Sequence, residues 1–176
     1  MIRSEQHKDY KQVERVVRRA FEASGQPYHH EHALVGRLRS SVAFVPALSL
    51  VAEKDGQVVG HVLFTRIQIG NDSTAVESLA LAPVSVLPEY QNQGIGSRLI
   101  ETGLERAREL GFASVVVLGH STYYPRFGFE PAERYGVRAP FKVAPENFMI
   151  VSLRAGALAN VQGMVRYAPE FSESCD

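Results

Sequence analysis

An alternating α/β fold is predicted by three features of this 176-residue chain. Apolar runs at strand spacing alternate with helical stripes, one glycine turn joins a strand directly to a helix, and no repeat or low-complexity tract interrupts them. Hydrophobic residues make up 45% of the chain, enough for one full core, so a single domain is expected. Ile2 to Ser4 reads as a short first strand. Asp9 is positioned to cap a helix whose stripe is Val13, Val16, Val17, Ala20 and Phe21, ending at Gly25-Gln26-Pro27. A second helix is predicted from Glu31 to Arg39. Ser49 to Glu53 and Val58 to Ile69 should pair, because Lys54-Asp55-Gly56-Gln57 contains an Asp-Gly hairpin turn. A further strand spans about Thr74 to Val86. From Gly94 the apolar positions Ile95, Leu99, Ile100, Leu104, Ala107 and Leu110 define a helix that Gly111 stops. Ser114 to Leu118 reads as a buried strand, Phe129 to Arg134 and Phe148 to Leu153 as two more, and Tyr135 to Pro145 as loop.

The segment from Val84 to Gly96 runs from a strand through a glycine turn into a helix, which is how proteins hold a diphosphate. The first N–H groups of a helix lack intrahelical partners and its dipole is positive there, so an anion is stabilised. Two better-known phosphate loops do not fit. A Walker loop needs lysine after its last glycine, and Gly96 is followed by Ser97 and Arg98. A Rossmann turn needs a third small residue, where this chain has Leu99. The remaining pattern, Gln91-x-x-Gly94-x-Gly96 after a strand ending near Pro88, resembles the acetyl-CoA loop of the GCN5-related N-acetyltransferases, the GNAT superfamily.

A second segment carries the same resemblance. Gly119-His120-Ser121-Thr122-Tyr123-Tyr124-Pro125-Arg126-Phe127-Gly128-Phe129 follows the strand that ends at Leu118, and Tyr124 stands four residues before Gly128, as in the family's Tyr-x-x-x-Gly-Phe signature. The resemblance implies a single α/β domain over residues 1–154, with a mixed central sheet splayed at the cofactor site and flanked by helices. It implies acetyl-CoA as acyl donor. The pantetheine arm would pair with the backbone of Val84, Ser85 and Val86, and a backbone N–H there would hold the oxyanion. Gln91, Gln93, Gly94, Ile95, Gly96 and Ser97 would wrap the diphosphate. Residues 155–176 look like the ending of the superfamily's YhbS-like branch, an extension that packs on the same domain or is partly flexible.

Tyr124 is the candidate general acid for the departing CoA thiolate, since a phenol with reference pKa of about 10 keeps its proton at neutral pH. Glu77, His61, His120 or water are the alternatives for the base that neutralises the amine. His29, His30 and His32 match no zinc spacing, so no metal is expected; the resemblance implies instead that Tyr28, His29 and His30, in the connection between the first two helices, border the acceptor site and help select substrate. The only cysteine, Cys175, is far from both motifs, which favours direct attack in a ternary complex over a covalent enzyme intermediate. It also points to a reducing, cytoplasmic setting. Nineteen basic residues balance nineteen acidic ones, which disfavours a nucleic-acid partner, and no run approaches the roughly 20 apolar residues of a membrane span. The expected activity is acetyl transfer to a primary amine, in a small molecule or a peptide. The alternative is a non-catalytic domain that binds or senses acyl-CoA. Any exposed strand, or the terminal extension, offers a surface for a homodimer.

Overall fold

A computed structural model describes residues 1–25 and 31–171, which separate into two compact units. The first comprises residues 1–65, 82–106 and the segment from 169; the second comprises 66–81 and 107–168. The strands are β1 (Ile2–Ser4), β2 (Phe44–Lys54), β3 (Gln57–Ile69), β4 (Val76–Val86), β5 (Ser114–Leu118), β6 (Glu130–Pro131), β7 (Val137–Arg138), β8 (Phe148–Ser152) and β9 (Gly163–Arg166). The helices are α1 (Tyr10–Glu22), α2 (Glu31–Arg39) and α3 (Ile95–Glu109). Parallel and antiparallel ladders both occur, so the sheet is mixed, as expected.

In the first unit β1 pairs antiparallel with β2, and β2 with β3. Lys54 lies opposite Gln57 across the two-residue turn, where Asp55 and Gly56 take φ values of 53° and 76°. Both are left-handed, as the tight hairpin requires. Val13, Val16 and Val17 of α1 are buried at helical spacing, and Gln12 Oε1 accepts the Val58 N–H at 2.9 Å, which ties α1 to the start of β3. On β3, Gly60 and Phe64 face α3. A Cβ at Gly60 would lie 3.0 Å from Leu99 Cδ1, and one at Gly103 would lie 2.1 Å from Phe64 Cε1. Glycine in a helix costs about 1 kcal/mol against alanine. Full burial of Phe64, with about 1.5–3 kcal/mol from its side chain, exceeds that cost, so the close approach wins.

Asp9 corrects one expectation. It stands at the start of α1, but its carboxylate bonds no α1 amide; it accepts from Arg3 at 2.7 and 3.0 Å and from the Gln6 N–H at 2.7 Å. The guanidinium offers charge-assisted, two-pronged bonds that outcompete a helix cap, and those bonds hold the Asp9 carboxyl below its usual range.

In the second unit β4 runs parallel to β5, with Leu79 beside Val115 and Ala80 beside Val116, and β5 pairs antiparallel with β8 from Ser114–Ser152 to Leu118–Phe148. Buried Ser78 and Ser114 satisfy each other through hydroxyls 2.7 Å apart. The strand expected from Phe129 to Arg134 shrinks to β6, because Pro131 has no N–H to extend a ladder and Ala132–Tyr135 coils into a 3-10 turn that Gly136 closes. Within the stretch expected as loop, Val137–Arg138 forms β7 against β9. β9 also pairs with the end of β3, so residues of the C-terminal segment build part of the sheet. Val165 and Val161 enter a core with Ile67, Ile69, Val116 and Ile150.

Gly103→Ala should destabilise the protein by about 1–3 kcal/mol in urea unfolding, because Phe64 must move. The control is Gly36→Ala on α2, where an added Cβ meets nothing within 4 Å; it should be neutral or stabilising by up to about 1 kcal/mol. Equal effects at the two sites would contradict the close seating of α3.

Candidate functional site

The glycine loop from Gln91 to Gly96 lies in the first unit. β4 ends at Val86, with Ser85 buried between the half-buried Val84 and Val86, and the Leu87 N–H bonds the Val59 carbonyl at 2.8 Å. A 3-10 turn, Pro88–Tyr90, follows; Arg19 clamps it by two bonds to the Glu89 carboxylate, at 2.9 and 2.8 Å. The pair is exposed and salt-screened, so it sets direction more than stability. Asn92 and Gly94 take left-handed φ values of 64° and 79°, which reverses the chain into α3. The first bond inside α3 runs from the Arg98 N–H to the Gly94 carbonyl at 3.1 Å. The N–H groups of Ile95, Gly96 and Ser97 therefore precede the intrahelical ladder. A Cβ at Gly94 would meet nothing within 4 Å, so the loop is open above that residue. Two expected ligand side chains are engaged within the protein: Gln91 Nε2 donates to the Val86 carbonyl at 3.0 Å, and Gln93 Oε1 accepts from Lys54 Nζ at 2.9 Å. Ser85 Oγ is buried without a hydrogen-bond partner among the described residues.

Tyr124 lies in the second unit, at the head of the 3-10 turn Tyr124–Phe127 that Gly128 ends at φ 97°. Its ring lies against Gly119, where a Cβ would come within 2.3 Å of Tyr124 Cε2, so the glycine after β5 makes room for it. Tyr123, Phe127 and Phe129 surround it with centroids 5.1, 6.4 and 5.8 Å away. Tyr124 is 8% exposed, and this burial, with a smaller effect of Tyr123, pushes its pKa up to about 12. The phenol is fully protonated at neutral pH. Giving its proton to a thiolate of reference pKa about 8.5 is uphill by about 2 kcal/mol for an unperturbed phenol and by roughly 5 kcal/mol here. Tyr123 is occupied otherwise: the Arg126 guanidinium sits 4.4 Å above its ring and Arg126 Nε donates to its carbonyl.

The three candidate bases occupy different settings. Glu77 is exposed and faces Arg66 at 3.8 Å. His120 is exposed, and its carbonyl accepts the Tyr123 and Tyr124 N–H groups. His61 is fully buried on β3, so no substrate reaches it. Ser49 donates its one hydroxyl proton to Glu5 at 2.9 Å, so it must accept from His61 Nε2 at 3.0 Å. That fixes His61 as the Nε2–H tautomer with a bare Nδ1, which has no partner among the described residues. Desolvation drives the His61 pKa down to about 4 against an opposing pull from Glu5. His32 lies on α2 with Nε2 3.2 Å from Arg18 Nη2, and burial lowers its pKa. Tyr28, His29, His30 and Cys175 fall outside the described residues. No three metal-binding side chains converge among the described residues, and no described helix is long and apolar enough to cross a membrane. Lys54 is the residue at the loop that sequence reasoning missed; the hairpin that carries it was predicted, but its proximity to Gln93 is a long-range contact without a local signal.

Residues 10–129 match the acetyltransferase (GNAT) family. The chain is 42% identical over 164 residues to the uncharacterized N-acetyltransferase YjhQ of Escherichia coli K12, covering 91% of this chain and 87% of that protein. It is 34% identical over 173 residues to the uncharacterized N-acetyltransferase YhbS of the same strain, covering 98% of each. The crystal structure of Escherichia coli YhbS in complex with CoA aligns at a TM-score of 0.85 and 33% identity, over 98% of this chain and 92% of that one. A GNAT family acetyltransferase from Brucella melitensis in complex with acetyl-CoA aligns at 0.78 and 34% identity, over 97% of each.

The His61 environment predicts acid sensitivity. Its folded pKa lies below the unfolded value of 6.5, so the unfolded chain binds the proton more tightly. The corresponding stability is complete above pH 6.5 and falls away towards pH 4, by about 3 kcal/mol. Urea unfolding at pH 7.5 and 4.5 should show the native protein losing more stability than His61→Gln over that interval. Parallel losses would refute the assignment.

Proposed function

Because this chain belongs to the acetyltransferase (GNAT) family, we propose that it transfers the acetyl group of acetyl-CoA to a primary amine by direct attack in a ternary complex. The chain is an acyltransferase and acetyl-CoA is its donor. The observation that carries the donor half is the α3 entry: the N–H groups of Ile95 and Gly96 ahead of the helical ladder, an open loop face at Gly94, and a helix seated tightly by Gly60 and Gly103. Gly94, Ile95, Gly96 and Ser97 receive the diphosphate through their backbone, and Gln91 and Gln93 shape the loop that presents it. Val84, Ser85 and Val86 supply backbone groups for the pantetheine arm, and an N–H on this strand holds the charge that develops on the thioester oxygen.

The acceptor must lose a proton before attack, because an alkyl ammonium with a reference pKa of about 10.4 is less than a thousandth neutral at pH 7. Attack on the carbonyl carbon by the neutral amine, whose ammonium proton has passed to water, forms the new C–N bond; the nitrogen gives a second proton to water, and the C–S bond breaks as thiolate departs. Tyr124 holds its proton at Oη and is assigned to the departing sulfur. Full transfer costs roughly 5 kcal/mol, which fits inside the total barrier of about 16 kcal/mol that corresponds to ten turnovers per second. Hydrogen-bond donation without full transfer costs less, so Tyr124 is most effective if it stabilises the sulfur early and gives up its proton late.

Release of CoA thiol from acetyl-CoA should depend on an amine, tested across polyamines, amino acids, aminoglycosides and short peptides. Tyr124→Phe should lower that turnover about 10²-fold with acetyl-CoA affinity nearly unaltered. Equal turnover in the variant would remove Tyr124 from the mechanism. If acetyl-CoA binds but no acceptor in the panel raises thiol release above hydrolysis, the proposal gives way to a domain that binds acyl-CoA without turnover.

A further inference from the structure

The loop from Gln91 to Gly96 carries no charged residue, although its proposed ligand is an anion. Backbone amides and a helix dipole of about half a charge would have to hold the diphosphate unaided. The fold brings cations to it. The turn between β2 and β3 reaches the loop in the first unit and is anchored there by Tyr90, whose hydroxyl accepts from Gln57 Nε2 at 3.1 Å and donates to Asp55 at 3.3 Å. These bonds hold the base of Lys54 while leaving its four-carbon stem exposed. Lys54 Nζ lies 2.9 Å from Gln93 Oε1 and 5.7 Å from the centroid of the Tyr90 ring. Lys54 also borders a cavity of about 460 Å³, together with Glu53, Ile95, Arg98, Glu101 and Thr102.

The charge placement is unusual for a helix start. The first turn of α3 has no acidic residue, and Arg98 is exposed within it. Cations at this end oppose the macrodipole; Glu53 and Glu101 border the same cavity and offset part of their charge, and a bound anion is stabilised by Lys54, Arg98 and the α3 amides together. Lys54 bonds a neutral amide, Gln93, and a charge-assisted bond to phosphate is about twice as strong as such a contact.

We propose that Lys54 is the cation that neutralises the diphosphate of acetyl-CoA, turning from Gln93 to a phosphate oxygen when the donor binds. This rests on the acetyl-CoA reading above and adds to it a specificity-determining residue from an element outside both sequence motifs. The test is calorimetric titration of the full chain and of Lys54→Gln with three ligands: CoA, dephospho-CoA, which lacks only the 3′-phosphate, and pantetheine, which lacks the diphosphate and the adenosine as well. Lys54→Gln should weaken CoA and dephospho-CoA alike, by about tenfold, and should leave pantetheine affinity unaltered. Its salt dependence of CoA binding should be shallower than that of the native chain, and Lys54→Arg should restore most of the affinity.

An unaltered dissociation constant for CoA in Lys54→Gln would overturn the proposal, as would a loss confined to CoA, which would assign Lys54 to the 3′-phosphate. A loss equally large with pantetheine would reduce Lys54 to a brace of the loop. Failure of the native chain to bind CoA at all would instead overturn the donor assignment, and the role of Lys54 with it.

Discussion

The seating of α3 on β3 is the constraint from which the proposed donor site follows. Two glycines, one on each element, remove the side chains that would hold helix and strand apart: Gly60 beneath Ile95 and Leu99, Gly103 above Phe64. Close packing leaves no room for a methyl group at Gly103, where Phe64 Cε1 would lie 2.1 Å away, and little at Gly60, where Leu99 Cδ1 would lie 3.0 Å away. Leu99 and Ile100 are fully buried on the same helix, so α3 is fixed in rotation as well as in height. The anion site proposed at the amides of Ile95, Gly96 and Ser97 depends on a helix held in place behind them. Gly94 then contributes its left-handed φ, and Gln91 closes the turn onto Val86.

Polar groups buried around this frame follow one rule: each is kept by a partner or kept neutral. Asp9 is charged and buried because Arg3 grips it and Gln6 donates to it. Glu5 is buried because Arg39 pairs with it and Ser49 donates to it. His61, at the end of that chain, has no partner for Nδ1 among the described residues, and desolvation by burial holds its pKa low. Tyr124 obeys the same rule in the second unit. The aromatic cage that positions its ring also raises its pKa, so precise placement is gained at the expense of acidity.

Much of this was legible in the sequence, for physical reasons that differ by element. β1, α2 and the β2–β3 hairpin were readable because their signals are local: an apolar run, a charged helical segment, an Asp-Gly turn. The start of α3 and its stop at Gly111, which takes φ 91°, were readable for the same reason. The misreadings arose where a remote partner overrode a local preference. Asp9 has a capping residue's chemistry, but Arg3 claims its carboxylate. Phe129 to Arg134 has strand-like ends, but Pro131 interrupts the ladder and the chain coils. β9 is only four residues long with one buried side chain, too little for periodicity to reveal. At the site, the glycine loop and Tyr124 announce themselves through spacing. Lys54 does not, because nothing in Glu53-Lys54-Asp55 indicates that this turn will fold against Gln93.

The most direct test of the central claim is amide hydrogen exchange read by mass spectrometry, with and without acetyl-CoA. The account predicts slowed exchange in peptides that cover Val84 to Val86 and Gly94 to Arg98, where backbone N–H groups take up the donor, and little change along β1 or α2. Donor binding with unchanged exchange at Gly94 to Arg98 would contradict it, because the diphosphate would then rest on something other than the helix amides that the two glycines hold in place.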